Sequence, residues 1–241
     1  MVDRGALMSS AKFPDARWAL ADSRTPPIVF IVDDDVSVRE SLELLVHSAG
    51  WQPEMFASAA AFLARPRVAV PSCLVLDVSL PDLNGLELQQ RLAEDGLDVP
   101  IIFITGYGDV PMTVRAMKAG AAEFLTKPFS NDVLLDAITQ AIERSRAALD
   151  QEAELRDVRE RYASLSRRER EVMALVVSGM LNKQVGGELH ISEITVKAHR
   201  GKVMRKMKAN SLADLVKIAA ALPTSPAPVA SSRETRSRRS C

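Results

Sequence analysis

The sequence predicts an α/β domain on a doubly wound, five-stranded parallel sheet, followed by an all-α, four-helix domain of helix-turn-helix type. In the first half of the chain, short apolar runs alternate with amphipathic stretches, the pattern of a parallel sheet covered on both faces. In the second half, helix-capping residues and helical spacing recur without a strand pattern. The length of 241 residues also favours two domains.

Each element of the α/β domain follows from its local pattern. Short, continuous apolar runs such as IIFI indicate strands that are buried on both faces. The predicted strands are residues 28–32, 51–56 (the weakest), 73–76, 101–104 and 123–125. The predicted helices between them are residues 36–49, 59–63, 86–93 and 110–118.

A long helix is predicted from residue 131 to about residue 162, because this stretch contains neither Gly nor Pro and is rich in Ala, Glu, Arg and Leu. Its first half is apolar enough to pack on the sheet, and residues 143–163 are predicted to form a linker helix. A dimeric coiled coil is an alternative for this linker, although Glu152 and Arg159 fall in the seam.

The predicted domains are thus residues 27–142 and 164–222. Residues 1–26 and the Pro/Ser/Arg-rich residues 223–241 are predicted to be disordered tails, the second of them basic.

The zero net charge of the chain conceals two halves of opposite sign. Residues 27–130 carry a net charge of −7 and residues 164–222 carry +6, which makes the second domain the candidate for nucleic-acid binding. The two cysteines fit neither a zinc nor a disulfide pattern, which favours a reducing, cytoplasmic setting. No apolar run approaches the 18 residues of a membrane span.

Acidic side chains follow two of the predicted strands. Asp33, Asp34 and Asp35 come directly after the first strand, and Asp77 follows the third. Ligands of a doubly wound sheet bind beyond the carboxyl ends of its strands, so these groups are expected to converge. Clustered carboxylates repel one another unless a cation joins them, and hard oxygen ligands suit Mg²⁺. Asp35 precedes a helical stretch and is better explained as its N-cap.

Two further strands are followed by groups that suit phosphoryl chemistry. Thr105 offers a hydroxyl donor and Lys127 a positive charge. Such groups stabilise the oxygens of a phosphoryl group in transfer, and Asp77 is the candidate nucleophile that forms an aspartyl phosphate.

The motifs IVDDD, LVLDVSLPDLNG, FITG and FLTKPF resemble the receiver domain of two-component response regulators over residues 27–142. The resemblance implies that a sensor histidine kinase phosphorylates Asp77, that Mg²⁺ is the cofactor, and that a cis peptide precedes Pro128. It assigns the metal to Asp33, Asp34, Asp77 and the carbonyl of Ser79, phosphate pairing to Lys127, and switching to Thr105 and Phe124.

Helix-capping residues mark the predicted starts and ends of the helices in the second domain. Ser166 and Glu169 form a capping box for a helix that Gly179 ends. Asn182 is predicted to cap a second helix, reaching residue 189, and Ser192 a third, over residues 193–208. A fourth helix is predicted from residue 211. The third is basic, and Ile194, Val196, Val203 and Met207 are expected to supply its apolar faces. A basic helix after a capped turn predicts a helix-turn-helix.

The stretch from LSRREREVMALVV to ITVKAHRGKVMRKM resembles the LuxR-type DNA-binding domain, and the whole chain resembles FixJ- and NarL-like regulators, including those of styrene and toluene pathways. The resemblance implies double-stranded DNA as a partner, with a homodimer formed on phosphorylation or on DNA through the fourth helix. The residues that it places at or near DNA are Lys183, Thr195, Lys197, Ala198, His199, Arg200, Gly201 and Lys202.

These features together predict a cytoplasmic response regulator whose phosphorylation at Asp77 activates DNA binding, with self-phosphorylation but no substrate turnover. A Mg²⁺-dependent hydrolase is disfavoured because Ser79 occupies the position of its second acid. A small-molecule-sensing LuxR-type regulator is disfavoured by the phosphate-site residues. A receiver that works without phosphate stays open.

Overall fold

The computed structural model describes residues 25–222, so the tails predicted for residues 1–26 and 223–241 lie almost wholly outside the described residues. The chain divides into two compact units, one up to Leu149 and the other from Asp150. No helix within residues 25–222 combines the length and apolar content that a membrane span requires.

The first unit is a five-stranded, fully parallel sheet with the order β2-β1-β3-β4-β5, which confirms the predicted fold class. Its strands are β1 (Ile28–Val32), β2 (Gln52–Phe56), β3 (Ser72–Asp77), β4 (Ile101–Thr105) and β5 (Glu123–Thr126). Strands β3, β4 and β5 each extend one residue beyond the predicted end, so that Asp77 and Thr105 are the last residues of their strands.

Helices cover both faces of this sheet. They are α1 (Val36–Ser48), α2 (Ala59–Leu63), α3 (Gly85–Glu94), α4 (Val110–Lys118) and the start of α5 (Asn131–Ala163). Alternate strand residues point to opposite faces: Phe30 packs with residues of α2, α3 and α4, whereas Ile31 packs with residues of α1 and α5. Two apolar cores, one on each face, therefore hold the helices against the sheet.

The second unit is helical, with α6 (Arg167–Val177), α7 (Asn182–Leu189), α8 (Glu193–Lys206) and α9 (Leu212–Ala220). Its core contains Val172, Val185, Val196, Val203 and Leu215, and the last turns of α5 pack against it through Val158 and Tyr162. The predicted capping box of Ser166 and Glu169 is present, and Ser192 caps α8.

The prediction that Asn182 caps α7 is wrong. Leu181 occupies the N-cap, and its backbone N–H donates to the side chain of Gln184 at 2.8 Å. The Asn182 side chain instead accepts a hydrogen bond from Arg200 of α8 at 3.2 Å. The Asn182 side chain therefore joins α7 to α8 and does not cap α7, contrary to what the local sequence pattern had indicated.

Candidate functional site

The carboxyl ends of the strands place the predicted acidic and cationic groups together. Strand β3 lies between β1 and β4, so Asp77 ends the central strand of the sheet. Asp33 follows β1 directly, and Lys127 follows β5. The backbone N–H of Lys127 donates to the carbonyl of Thr105 at 2.7 Å, which fixes this lysine at the same edge.

Lys127 joins the two acidic residues. Its Nζ lies 2.8 Å from Oδ2 of Asp33 and 3.1 Å from Oδ1 of Asp77. Asp33 is 1% exposed and Asp77 is 5% exposed. Two buried carboxylates side by side are costly to keep ionised without a cation, and the ammonium group compensates both of them.

The same geometry sets the protonation of Lys127. Burial lowers the pKa of this ammonium group, but hydrogen bonds and charge attraction from Asp33 and Asp77 outweigh burial and raise the pKa above its ordinary value. Lys127 therefore carries a fixed positive charge in the site.

The loop after β3 positions the other oxygen of Asp77. The backbone N–H of Ser79 donates to Oδ2 of Asp77 at 2.8 Å. Gly85, the first residue of α3, lies so close that a Cβ there would come within 2.7 Å of the Asp77 carbonyl oxygen. This close approach requires glycine. The Lys127–Pro128 peptide is cis, as the resemblance implied.

Thr105 and Phe124 are neighbours beside this pocket. Thr105 is fully buried, and its Oγ1 accepts a hydrogen bond from the N–H of Tyr107 at 3.2 Å. A Cβ placed on Gly108 would lie 3.3 Å from the Thr105 methyl group and 3.1 Å from the Phe124 ring. The Thr126 methyl group would be closer still, at 2.9 Å, so Gly108 lies in a crowded position beside both predicted switch residues.

The remaining predicted acids are placed differently. Asp35 caps α1 by accepting from the N–H groups of Ser37 and Val38, as expected. Asp34 is exposed. Within residues 25–222, no group of three or more His, Cys, Asp or Glu side chains lies close enough together to hold a metal ion. The convergent acidic pair is Asp33 and Asp77.

Arg39 is a site residue that sequence reasoning missed. Its Nη1 donates to the carbonyl oxygen of Asp33 at 2.6 Å, and so holds the backbone on which the first acid sits. Arg39 lies in α1, on a helix with several charged residues, and its spacing alone gives no signal of this contact.

The basic second unit presents one exposed face of α8. Lys197, Ala198, Gly201 and Lys202 are exposed on this helix, and Lys183 is exposed on α7. Thr195, His199 and Arg200 are half-buried. Among the described residues, Nδ1 of His199 is buried without a hydrogen-bond partner. The eight predicted DNA residues therefore divide into an exposed group of five and a half-buried group of three.

Two lysines of α8 form ion pairs with acidic residues of the second unit. Lys197 pairs with Glu193 one turn earlier at 3.0 Å on the exposed face. Lys206 turns away from that face and donates to Glu169 at 2.7 Å and to the Ser164 carbonyl at 2.9 Å. The hydrogen bond from Lys206, joined by one from the Ser166 backbone, lowers the pKa of Glu169 to about 2. This pair fastens the C-terminal end of α8 to α6.

Ile194 is not part of an apolar packing face, contrary to the sequence prediction. Its side chain is 80% exposed, whereas Val196, Val203 and Met207 are buried as expected. Residue 194 falls on the same side of α8 as Lys197 and Ala198, three and four residues later. The sequence pattern counted Ile194 among the residues of the apolar faces, but the structure leaves it exposed.

Comparison with known proteins agrees with the two units. Residues 29–139 match the response regulator receiver domain, and residues 163–219 match the luxR family of bacterial regulatory proteins. Nodulation protein W of Bradyrhizobium diazoefficiens is 49% identical over 83% of this chain and 88% of its own length. Transcriptional regulatory protein FixJ of the same species is 44% identical over 79% of this chain and 93% of its own.

A solved structure shows the same likeness. The response regulator StyR is 46% identical, with a TM-score of 0.74 over 81% of this chain and 98% of StyR. These matches confirm the predicted likeness to FixJ-like regulators. The chain belongs to the response regulators that combine a receiver domain with a LuxR-type DNA-binding domain, a family of transcription regulators.

Proposed function

We propose that Asp77 accepts a phosphoryl group from a phosphohistidine of a sensor kinase, and that this modification activates DNA binding by the second unit. The observation that carries the proposal is the Lys127 ammonium group lying between the carboxylates of Asp33 and Asp77. A buried carboxylate at the end of a central strand, beside a fixed cation, suits an attacking nucleophile whose product is an anion.

The proposed transfer forms one bond to phosphorus and breaks another. A carboxylate oxygen of Asp77 forms a bond to phosphorus as the phosphorus–nitrogen bond to the donor imidazole breaks, and the imidazole then takes a proton from water. Lys127 compensates charge on the phosphoryl oxygens, and the Ser79 N–H already holds one carboxylate oxygen in position. Positioning and electrostatics account for most of such catalysis. The chain modifies itself and turns over no separate substrate.

The residues present fit Mg²⁺ as the cofactor. This ion keeps several waters and is bound through one or two carboxylates together with phosphate oxygens, and Asp33 and Asp77 supply such a pair. The resemblance adds the exposed Asp34 and the Ser79 carbonyl to the ligand set. When bound, Mg²⁺ supplies positive charge that stabilises the phosphoryl oxygens.

Phosphorylation is proposed to shift an existing equilibrium between two receiver states. Thr105 and Phe124 are proposed to form the switch, and their side chains both lie close to Gly108. The active state is proposed to form a homodimer, on phosphorylation or on DNA, with α9 as the contact on DNA.

The DNA contacts are proposed for α7 and α8. Lys197, Ala198, Gly201 and Lys202 lie on the exposed face of α8, and Lys183 is exposed on α7. Lys183 is proposed to contact phosphate. Half-buried Thr195, His199 and Arg200 line the edge of this face. A recognition helix reads bases in the major groove while neighbouring groups contact phosphate.

The proposed domains are residues 27–142 and 164–222, joined by the linker at 143–163, and the proposed setting is the cytoplasm.

The test of this function is phosphate-dependent DNA binding. The full chain is incubated with random double-stranded DNA in the presence of Mg²⁺ and a small phosphodonor, and an operator is selected. Affinity for that operator should rise with phosphodonor in the wild type and should not rise in Asp77→Asn. Equal affinity with and without phosphodonor in the wild type would overturn phosphate control.

A further inference from the structure

The exposed side chain of Ile194 stands on a helix face that is otherwise suited to a polyanion. Residues 197, 198, 201 and 202 share this side of α8 with residue 194, and two of them are lysines. Arg205 continues the exposed cations one turn further. Ile194 is the second residue of α8 and is 80% exposed.

Within residues 25–222, Ile194 is not part of the apolar core of the second unit. Its side chain is exposed, whereas the apolar core of the second unit takes Val196 and Val203 from the same helix. A β-branched residue is also a weaker helix former than the straight-chain residues common on exposed helix surfaces. An isoleucine here contributes little to the fold of the isolated chain, so a bound partner is the better explanation.

The chemistry of the major groove identifies what such a side chain can contact. An apolar side chain cannot pair with a phosphate or donate to a base edge. The thymine C5-methyl group is the apolar feature that the major groove presents. The N-terminal residues of a recognition helix are also those that reach base edges. Ala198 and Gly201, one and two turns after Ile194 on this face, have little or no side chain to cover it.

We infer that Ile194 is a specificity-determining residue, which contacts the C5-methyl group of a thymine in each operator half-site. The inference rests on the proposed DNA binding and adds the base that this residue selects. Lys197, which pairs with Glu193 one turn earlier at 3.0 Å, lies on the same face as Ile194.

The experiment replaces thymine by uracil, which keeps base pairing and removes only the methyl group. An operator is selected with the full-length, phosphodonor-treated chain, and each thymine is then replaced in turn. One thymine per half-site should be sensitive in the wild type, with a loss of about fourfold in affinity per half-site, the factor expected for one methyl group taken from an apolar contact.

The substitution Ile194→Ala separates this role from general binding. The variant should bind the thymine and uracil operators with equal affinity at that position, because the contact is already absent. Leu44→Ala removes another exposed aliphatic side chain, on α1, and should keep the full preference for thymine. Lys197→Ala should weaken binding to both operators by the same factor.

The possible failures are distinct. If Ile194→Ala keeps the wild-type preference for thymine, or if no thymine of the operator is sensitive to uracil, the inference is wrong while DNA binding stands. If selection enriches no sequence at all, the proposed DNA-binding function fails and the role of Ile194 fails with it.

Discussion

The ammonium nitrogen of Lys127 lies 3.1 Å from Oδ1 of Asp77. This contact joins the residue after β5 to the last residue of β3, across the intervening strand β4. The lysine is the charge partner of the carboxylate that is proposed to carry the phosphoryl group.

Lys127→Gln should slow phosphorylation of Asp77 by a small phosphodonor about 100-fold, because removing one preorganised electrostatic partner of a reacting group typically costs this much. The measurement is the initial rate of phosphorylated protein formed, by intact mass. Lys118→Ala removes an exposed lysine at the end of α4 and should leave the rate unchanged. A Lys127→Gln rate within twofold of the wild type would contradict the assigned role.

Gly186 and Gly187 form a matched pair in α7. A Cβ on Gly186 would lie 2.8 Å from the carbonyl oxygen of Ile191, whereas one on Gly187 meets nothing within 4 Å. Gly186→Ala should therefore destabilise the second unit by about 1–3 kcal/mol through overpacking. Gly187→Ala should stabilise it by about 0.5–1 kcal/mol through helix propensity. Thermal unfolding followed by circular dichroism compares the unfolding temperatures of the two variants with that of the wild type. Shifts of the same sign would refute the different roles given to Gly186 and Gly187.

Glu169→Gln should destabilise the second unit by about 1–3 kcal/mol at neutral pH, since it removes the charge that Lys206 pairs with. The folded pKa of Glu169, about 2, lies below its ordinary value of 4.5. The stabilisation is therefore complete above about pH 4.5 and is lost as the pH falls towards 2.

Urea unfolding of wild type and variant at several pH values measures this difference. The gap between the two free energies of unfolding should narrow as the pH falls below about 4.5. Glu188→Gln, at an exposed position of α7, serves as the control and should show no such gap. A gap that stays constant down to pH 2 would show that the charge of Glu169 is not the stabilising element.

Lys183→Ala should weaken binding to every DNA sequence by a similar factor, because a phosphate contact carries no base information. The slope of log affinity against log salt concentration should fall in magnitude by about 0.9 for each phosphate that the alanine variant no longer neutralises. Titrations at several salt concentrations measure the slope, with Arg144→Ala, an exposed cation of the first unit, as the control. An unchanged slope would remove Lys183 from the interface.

Local patterns in the sequence predicted much of the fold. The β3 run and the capping residues Asp35 and Ser166 each depend on neighbours within a few positions, and all are where the sequence places them. The convergence of Asp33, Asp77 and Lys127 was predictable as well, because parallel strands share a carboxyl edge.

The errors involve contacts between elements that are distant in the chain. Asn182 accepts from Arg200, 18 residues away, and leaves the cap to Leu181. Arg39 reaches the Asp33 carbonyl by a side-chain path that no periodicity reveals. Ile194 was expected to supply an apolar face of α8 but is exposed, because hydropathy alone does not distinguish a core residue from an exposed one.

The central claim is that Asp77 is the phosphoacceptor, and intact mass spectrometry after incubation with a small phosphodonor and Mg²⁺ tests it most directly. The wild type should gain the mass of one phosphoryl group, the gain should be labile as an acyl phosphate is, and Asp77→Asn should show none. No gain in the folded wild type, or an equal gain in Asp77→Asn, would contradict the account.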